Sequence, residues 1–206
     1  MNYEEVVSNV NVYGLEESVK GVKYPVSVDV NKKADEISRR AKHAKVSSAQ
    51  DNYLNGIIVQ FDLTFTNKAW VEAERYHLME FVSSQSTMQK ITQFDLEQVY
   101  NEFVDERIVE IMKEKVLAYN ELQADIKRLK AEGKDVTTLN DVASNKYLEI
   151  LYSNPAGFRM TARMTTNYRQ LRKIYRERKQ HRLPEWRAFC AWIETLPHSE
   201  MLTSEQ

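Results

Sequence analysis

Apolar and polar residues alternate most clearly in GIIVQFDLTF, where Ile57, Val59, Phe61, Leu63 and Phe65 share one side and Gln60, Asp62 and Thr64 the other. A period of two is that of a half-buried strand. GFRMTARMTT repeats it: Phe158, Met160, Ala162 and Met164 lie on one side, and Arg159, Thr161, Arg163 and Thr165 give the other a cationic character. Elsewhere the spacing changes to three and four. Ile108, Met112, Val116, Tyr119, Leu122, Ile126 and Leu129 predict a long helix from Asp105 to about Ala131, closed by EGKD, and TLNDVASNKYLEILY predicts a second helix returning against it. Thr66 or Asn67 offers an N-cap for a helix reaching to about Val82, with Trp70, Ala73, His77 and Phe81 on one face. Leu183, Trp186, Phe189, Cys190 and Ile193 predict a last amphipathic helix. The first fifty residues hold a strand-like start, breaks at the Gly and Pro of GLEESVKGVKYPVSVD, and a polar helix in NKKADEISRRAKHAK.

One helix breaks its own pattern. In NYRQLRKIYRER, Leu171, Ile174, Tyr175 and Arg178 fall on a single face, with Asn167 a turn earlier, so a cation sits on a stripe expected to face the interior. A snorkelling side chain, an ion pair with Glu177 or Glu185, or a pocket for an anion would each account for it. SSQSTMQK, rich in hydroxyl and amide donors, suits a polar ligand or a plain loop.

Composition narrows the classes. With 206 residues, a formal charge of -1 and 42% hydrophobic residues, the chain is long enough for one domain over residues 1–206 with a core of its own. No apolar run approaches the roughly 18 residues that span a bilayer, and the N-terminus lacks a basic start and an apolar signal core, so a cytoplasmic protein without a membrane partner is expected. Cys190 is the single cysteine, and neither it nor the four histidines has metal-ligand spacing, so no disulfide or metal is expected. Near-neutrality hides an asymmetry: Phe158 to Arg187 carries ten Lys or Arg against Glu177 and Glu185, a balance suited to an anionic ligand, nucleic acid, an acidic partner surface or plain solvation.

The segment TTNYRQLRKIYRERKQHRLPEW resembles the C-terminal signature of the flavin-dependent thymidylate synthases. That family has Asn-x-Arg at a helix start, an Arg nine residues after the first, and an acidic residue near a Trp on the next helix; Asn167, Arg169, Arg178, Glu185 and Trp186 correspond, the last two in swapped order. RYHLMEFVSSQS resembles the family's Arg-His-Arg motif and the serine after it, with His77 and Ser86 in those places, Tyr76 and Leu78 where the family has arginines, and Arg75 displaced by one position. Ser84, Met88 and Gln89, and Asn55 and Gly56, also depart from the family's residues, and Arg159 or Arg163 would supply a further expected charge.

The resemblance implies an α+β fold, a mostly antiparallel sheet flanked by helices with a long helical hairpin. It implies methylation of dUMP to dTMP with methylenetetrahydrofolate as carbon donor, FAD as hydride source and NADPH as reductant, in a homotetramer with shared sites. Arg178 would bind the nucleotide and polarise its uracil ring, since a fixed guanidinium stabilises charge developing there. His77, Asn167, Arg169 and Lys173 would hold the flavin, and Arg75, Ser84, Gln85 and Ser86 the nucleotide. No cysteine nucleophile is required. Alternatives are FAD-dependent modification of another pyrimidine nucleotide, a catalytically inactive scaffold, or a nucleic-acid-binding protein using residues 159–187. Nucleic acid is not expected, because Tyr175 and Trp186 lie on apolar helix faces rather than where bases stack.

Overall fold

A computed structural model describes residues 1–30 and 49–204; the polar helix expected over residues 31–45 lies outside the described residues. A four-stranded sheet holds β1 (Val7–Tyr13), β2 (Ile58–Thr66), β3 (Glu80–Ser84) and β4 (Arg159–Asn167) in the order β1-β2-β4-β3. β1 pairs antiparallel with β2, Val7 opposite Leu63 and Tyr13 opposite Ile58, and β3 pairs antiparallel with β4, Phe81 opposite Met164. Between β2 and β4 the Tyr168 N–H donates to the Ile57 carbonyl at 3.0 Å while the hydroxyls of Thr64 and Thr161 meet at 2.8 Å, so this pair is antiparallel as well. The sheet and its flanking helices make an α+β fold.

The described residues divide into two compact units, Met1–Phe65 with Ala69–Ser84 and Thr161–Gln206, and Thr66–Lys68 with Gln85–Met160. In the first, the alternation of β2 turns Val59, Phe61, Leu63 and Phe65 inward, all fully buried. They meet the apolar face of α7 (Pro184–Ile193), which opens with proline in its first turn, where the missing N–H costs nothing. Phe65 meets Trp186 edge-on with ring centres 4.9 Å apart, and Phe61 lies 4.7 Å from Trp192. Such tilted and edge contacts suit the ring quadrupoles.

The helix expected from Asn67 to Val82 ends early. After α1 (Leu15–Lys20), α2 spans Asn67–Ala73 only; a turn follows, and Phe81 and Val82 belong to β3. The cause is tertiary. β4 has an open edge, and Glu80–Ser84 satisfies it, while the Thr166 hydroxyl donates to the Leu78 carbonyl at 2.7 Å. Phe81 still meets Trp70, 5.0 Å between rings, but from the strand. His77 therefore sits exposed in the turn between α2 and β3 rather than on an apolar helix face, and Tyr76 and Met79 take the buried positions beside it. SSQSTMQK is divided between the end of β3 and a short helix, α3 (Thr87–Lys90).

The second unit is built on the expected helical hairpin, α4 (Glu106–Ala131) and α5 (Thr137–Ser153). Asp105 caps α4 by accepting the Arg107 N–H at 2.9 Å, and Gly133, at φ 74°, turns the chain out of the helix. Met112 and Val116 of α4 and Ile150 of α5 pack with Phe158, whose ring meets Phe94 at 5.1 Å and Tyr100 at 5.7 Å. Among the described residues no helix is long and apolar enough to cross a membrane.

Candidate functional site

α6 (Tyr168–Arg178) carries the polar residues singled out in the sequence. Asn167 is its N-cap, the side-chain oxygen accepting the Gln170 N–H at 2.9 Å, which leaves the amide nitrogen as its remaining donor group. Leu171 and Ile174 are fully buried; Tyr168 and Tyr175, also buried, donate their hydroxyls to the Pro197 carbonyl and to Glu194, each at 2.7 Å. The greasy face is thus anchored to the core and to the C-terminal segment.

Arg178 sits on that face because a partner waits there. Its Nη1 lies 2.9 Å from an oxygen of Glu72, on α2, and the two side chains are only 12% and 16% exposed. Its Nε donates to the Tyr76 hydroxyl at 2.7 Å, and Tyr76 in turn donates to Glu177 at 2.9 Å. The guanidinium carbon lies 4.9 Å from the Trp186 ring and 5.5 Å from that of Tyr76, within reach of both π faces. Glu177 reaches the cation through Tyr76, and Glu72, which the sequence did not suggest beside Glu177 or Glu185, is a direct acidic partner. His181 completes the group: Nδ1 accepts the Leu183 N–H at 3.2 Å, and Nε2 lies 2.7 Å from Arg178 Nη1 and 3.2 Å from Glu72. The Tyr76 hydroxyl is pushed up to about 12, chiefly by burial and against the pull of Arg178.

The other face of the helix is cationic. Arg169, Arg172, Lys173 and Arg176 recur at i, i+3, i+4 and i+7 and line a cavity of ≈ 560 Å³, together with Asp51, Leu78, Gln170 and Glu177. Asp51, 1% exposed, comes from the 3₁₀ segment before β2 and lies 3.1 Å from the Arg169 guanidinium. Arg172 is 2% exposed, and burial lowers its pKa from the usual arginine value although Asp51 pulls it back up. Gln170 is buried too, and its side-chain nitrogen has no hydrogen-bond partner among the described residues. A buried donor without an acceptor beside clustered cations is chemistry ready for an anion.

The structure thus gathers Arg169 and Lys173 at the cavity and sets Arg178 in the Glu72 group. Arg75 and His77 are exposed outside the cavity lining, Ser84 ends β3 opposite Ala162, and Gln85 and Ser86 follow it. The strand cations are engaged elsewhere, Arg163 with Asp62 and Arg159 with Glu102, each at 3.2 Å. Cys190 is buried, its thiol pushed up to about 12 by burial. Asp51, Glu72 and Tyr76 had no signal in the sequence as members of these groups. Arg172 and Arg176 had one, the spacing that places them in line with Arg169 and Lys173.

The antiparallel sheet, the helical hairpin and the cationic cavity on α6 together define an α+β protein. No family model and no curated sequence matches the chain. Its fold is that of the flavin-dependent thymidylate synthases. A crystal structure of flavin-dependent thymidylate synthase ThyX from Helicobacter pylori, complexed with FAD and dUMP, is similar with a TM-score of 0.61 and 15% identity, over 95% of this chain and 97% of that one. A second structure of Helicobacter pylori ThyX with FAD and dUMP is similar with a TM-score of 0.59 and 16% identity over the same shares.

Proposed function

We propose that the protein is a flavoenzyme that methylates dUMP to dTMP, taking the carbon from methylenetetrahydrofolate, with FAD reduced by NADPH. The observation that carries this reading is the cavity of α6: Arg169, at a position that holds the flavin in the family, and Lys173, which replaces a polar residue of the family, line one pocket with a buried amide nitrogen that has no acceptor among the described residues. That donor set fits an anionic cofactor. FAD, when bound, supplies the hydride that completes the methyl group. Arg169, Lys173 and the free amide donor of Asn167 would hold it, with His77 nearby on the turn before β3.

Arg178 is the candidate for activating the base. Glu72 holds its Nη1 and the Tyr76 oxygen its Nε. A guanidinium fixed on those two sides keeps its remaining amino group for the uracil edge, where it stabilises negative charge without having to reorganise. Arg75, Ser84, Gln85 and Ser86 would bind the nucleotide, and assembly as a homotetramer with shared sites follows from the same reading. In the nucleic-acid alternative, the aromatic residues interleaved with the basic segment would have to stack on bases, yet Tyr168, Tyr175 and Trp186 are buried.

The test is the visible absorption spectrum of the purified protein after adding FAD and then dUMP, followed by tritium release from C5-labelled dUMP with methylenetetrahydrofolate and NADPH. Flavin bands that stay with the protein, a dUMP-dependent shift and tritium release abolished in Arg178→Lys are expected. A colourless protein that ignores FAD, or tritium release unchanged in Arg178→Lys, would overturn the reading of the cofactor or of Arg178, respectively.

A further inference from the structure

The guanidinium of Arg178 is held from two directions. Nη1 lies 2.9 Å from a Glu72 oxygen, and Nε donates to the Tyr76 hydroxyl at 2.7 Å. A planar group held at one nitrogen can pivot there; a second hold at another nitrogen fixes its plane. The carboxylate is the looser of the two holds, because either oxygen accepts over a range of tilts. The phenol is the stiffer one. Tyr76 is buried, its ring meets Trp186 edge-on with centres 5.6 Å apart, and the guanidinium carbon lies 5.5 Å from that ring. A phenol also has a single proton, and this one goes to Glu177 at 2.9 Å, which turns the oxygen's lone pairs toward Nε. Burial keeps the proton in place, pushing the hydroxyl up to about 12. A neutral oxygen orients the cation without cancelling its charge, as a second carboxylate at the same place would.

We infer that Tyr76 is a positioning residue: its hydroxyl, aimed by Glu177, sets the plane of Arg178 and with it the direction in which the remaining amino group meets the uracil edge. The resemblance gives a tyrosine no role here, since the family has an arginine at this position. The substrate named in this inference rests on the methylation reading, whereas the fixing of Arg178 stands on the geometry alone. Hydrogen bonds weaken steeply away from linearity, so a misaimed donor forfeits its hold on charge that develops during the reaction. The loss therefore falls on the chemical step more than on dUMP binding.

Tyr76→Phe removes the hydroxyl and keeps the ring that packs on Trp186 and Arg178. Glu177→Leu, at an exposed position, leaves the tyrosine but takes away the acceptor that aims it, and serves if the first variant does not fold. Tritium release from C5-labelled dUMP by the FAD-loaded full chain gives kcat and KM, and absorbance gives bound flavin. Solvent exchange of the Arg178 Nε proton in nitrogen-edited NMR spectra, assigned by its loss in Arg178→Lys, reports the hold without turnover. Tyr76→Phe is expected to lower kcat about tenfold, with KM for dUMP within about twofold and flavin content unchanged, and to exchange the Nε proton at least about tenfold faster; Glu177→Leu should lower kcat about threefold. Unchanged kcat in either variant, or a fall in kcat matched by an equal loss of bound flavin, overturns the positioning role and leaves the methylation reading intact. Nε exchange that ignores Tyr76→Phe overturns it whatever the activity. Faster exchange in that variant, with no tritium release even from the parent, sustains the fixing of Arg178 and overturns the methylation reading instead.

Discussion

Replacing Glu72 by glutamine removes one charge from the Arg178 group and changes almost nothing in shape. The Arg178 and Glu72 side chains are 12% and 16% exposed and 2.9 Å apart, so the pair belongs between exposed ion pairs, which contribute about 0–1 kcal/mol, and fully buried ones, whose breakage costs about 3–5 kcal/mol. Glutamine still offers an oxygen to Nη1, and the Trp186 and Tyr76 rings still face the guanidinium. A loss of about 2 kcal/mol is expected. For a chain of this length it lowers Tm by roughly 4–8 °C. Circular dichroism melts of Glu72→Gln, Arg178→Met and the double variant measure it. The double variant should lose about 1 kcal/mol less than the sum of the singles, because Arg178→Met alone strands the carboxylate and Glu72→Gln alone strands the cation. A Glu72→Gln melt within 1 °C of the parent, or strict additivity in the double variant, would refute the claim that this pair explains a cation on the buried face.

Two further outcomes follow from groups that burial keeps protonated. Tyr53, Tyr76 and Tyr100 are each pushed up to about 12 from 10.0, and Cys190 to about 12 from 9.0, mainly by burial, so the unfolded chain releases these protons at lower pH than the native one. Their stabilising contribution is complete below pH 9 and disappears as pH rises to about 12, at roughly 1 kcal/mol per group per pH unit, so urea midpoints should fall steadily from pH 9 upward; a midpoint constant to pH 11 would contradict it. Cys190 at pH 8 should have a thiolate population about a thousandfold below that of an ordinary thiol, so reaction with a disulfide reagent should proceed at the rate of unfolding and accelerate in urea; rapid labelling of the native protein would show that the thiol is accessible.

Local periodicity determined much of this molecule. The alternation of β2 and β4, the three-four spacing of the hairpin helices and the apolar face of α7 were legible because each pattern turns a whole set of side chains toward one side, whatever lies there. The cationic stripe of α6 was legible for the same reason. The tertiary structure decided what meets those faces. Residues 80–84 became a strand rather than the end of a helix because β4 presented an unpaired edge, and that choice moved His77 from a helix face to an exposed turn. Arg178 found Glu72, 106 residues earlier in the chain, and Arg169 found Asp51. Periodicity reports which side a residue faces. The partner across the gap depends on how distant segments come together, and that is where the energies of a buried cation and of a cationic cavity are decided.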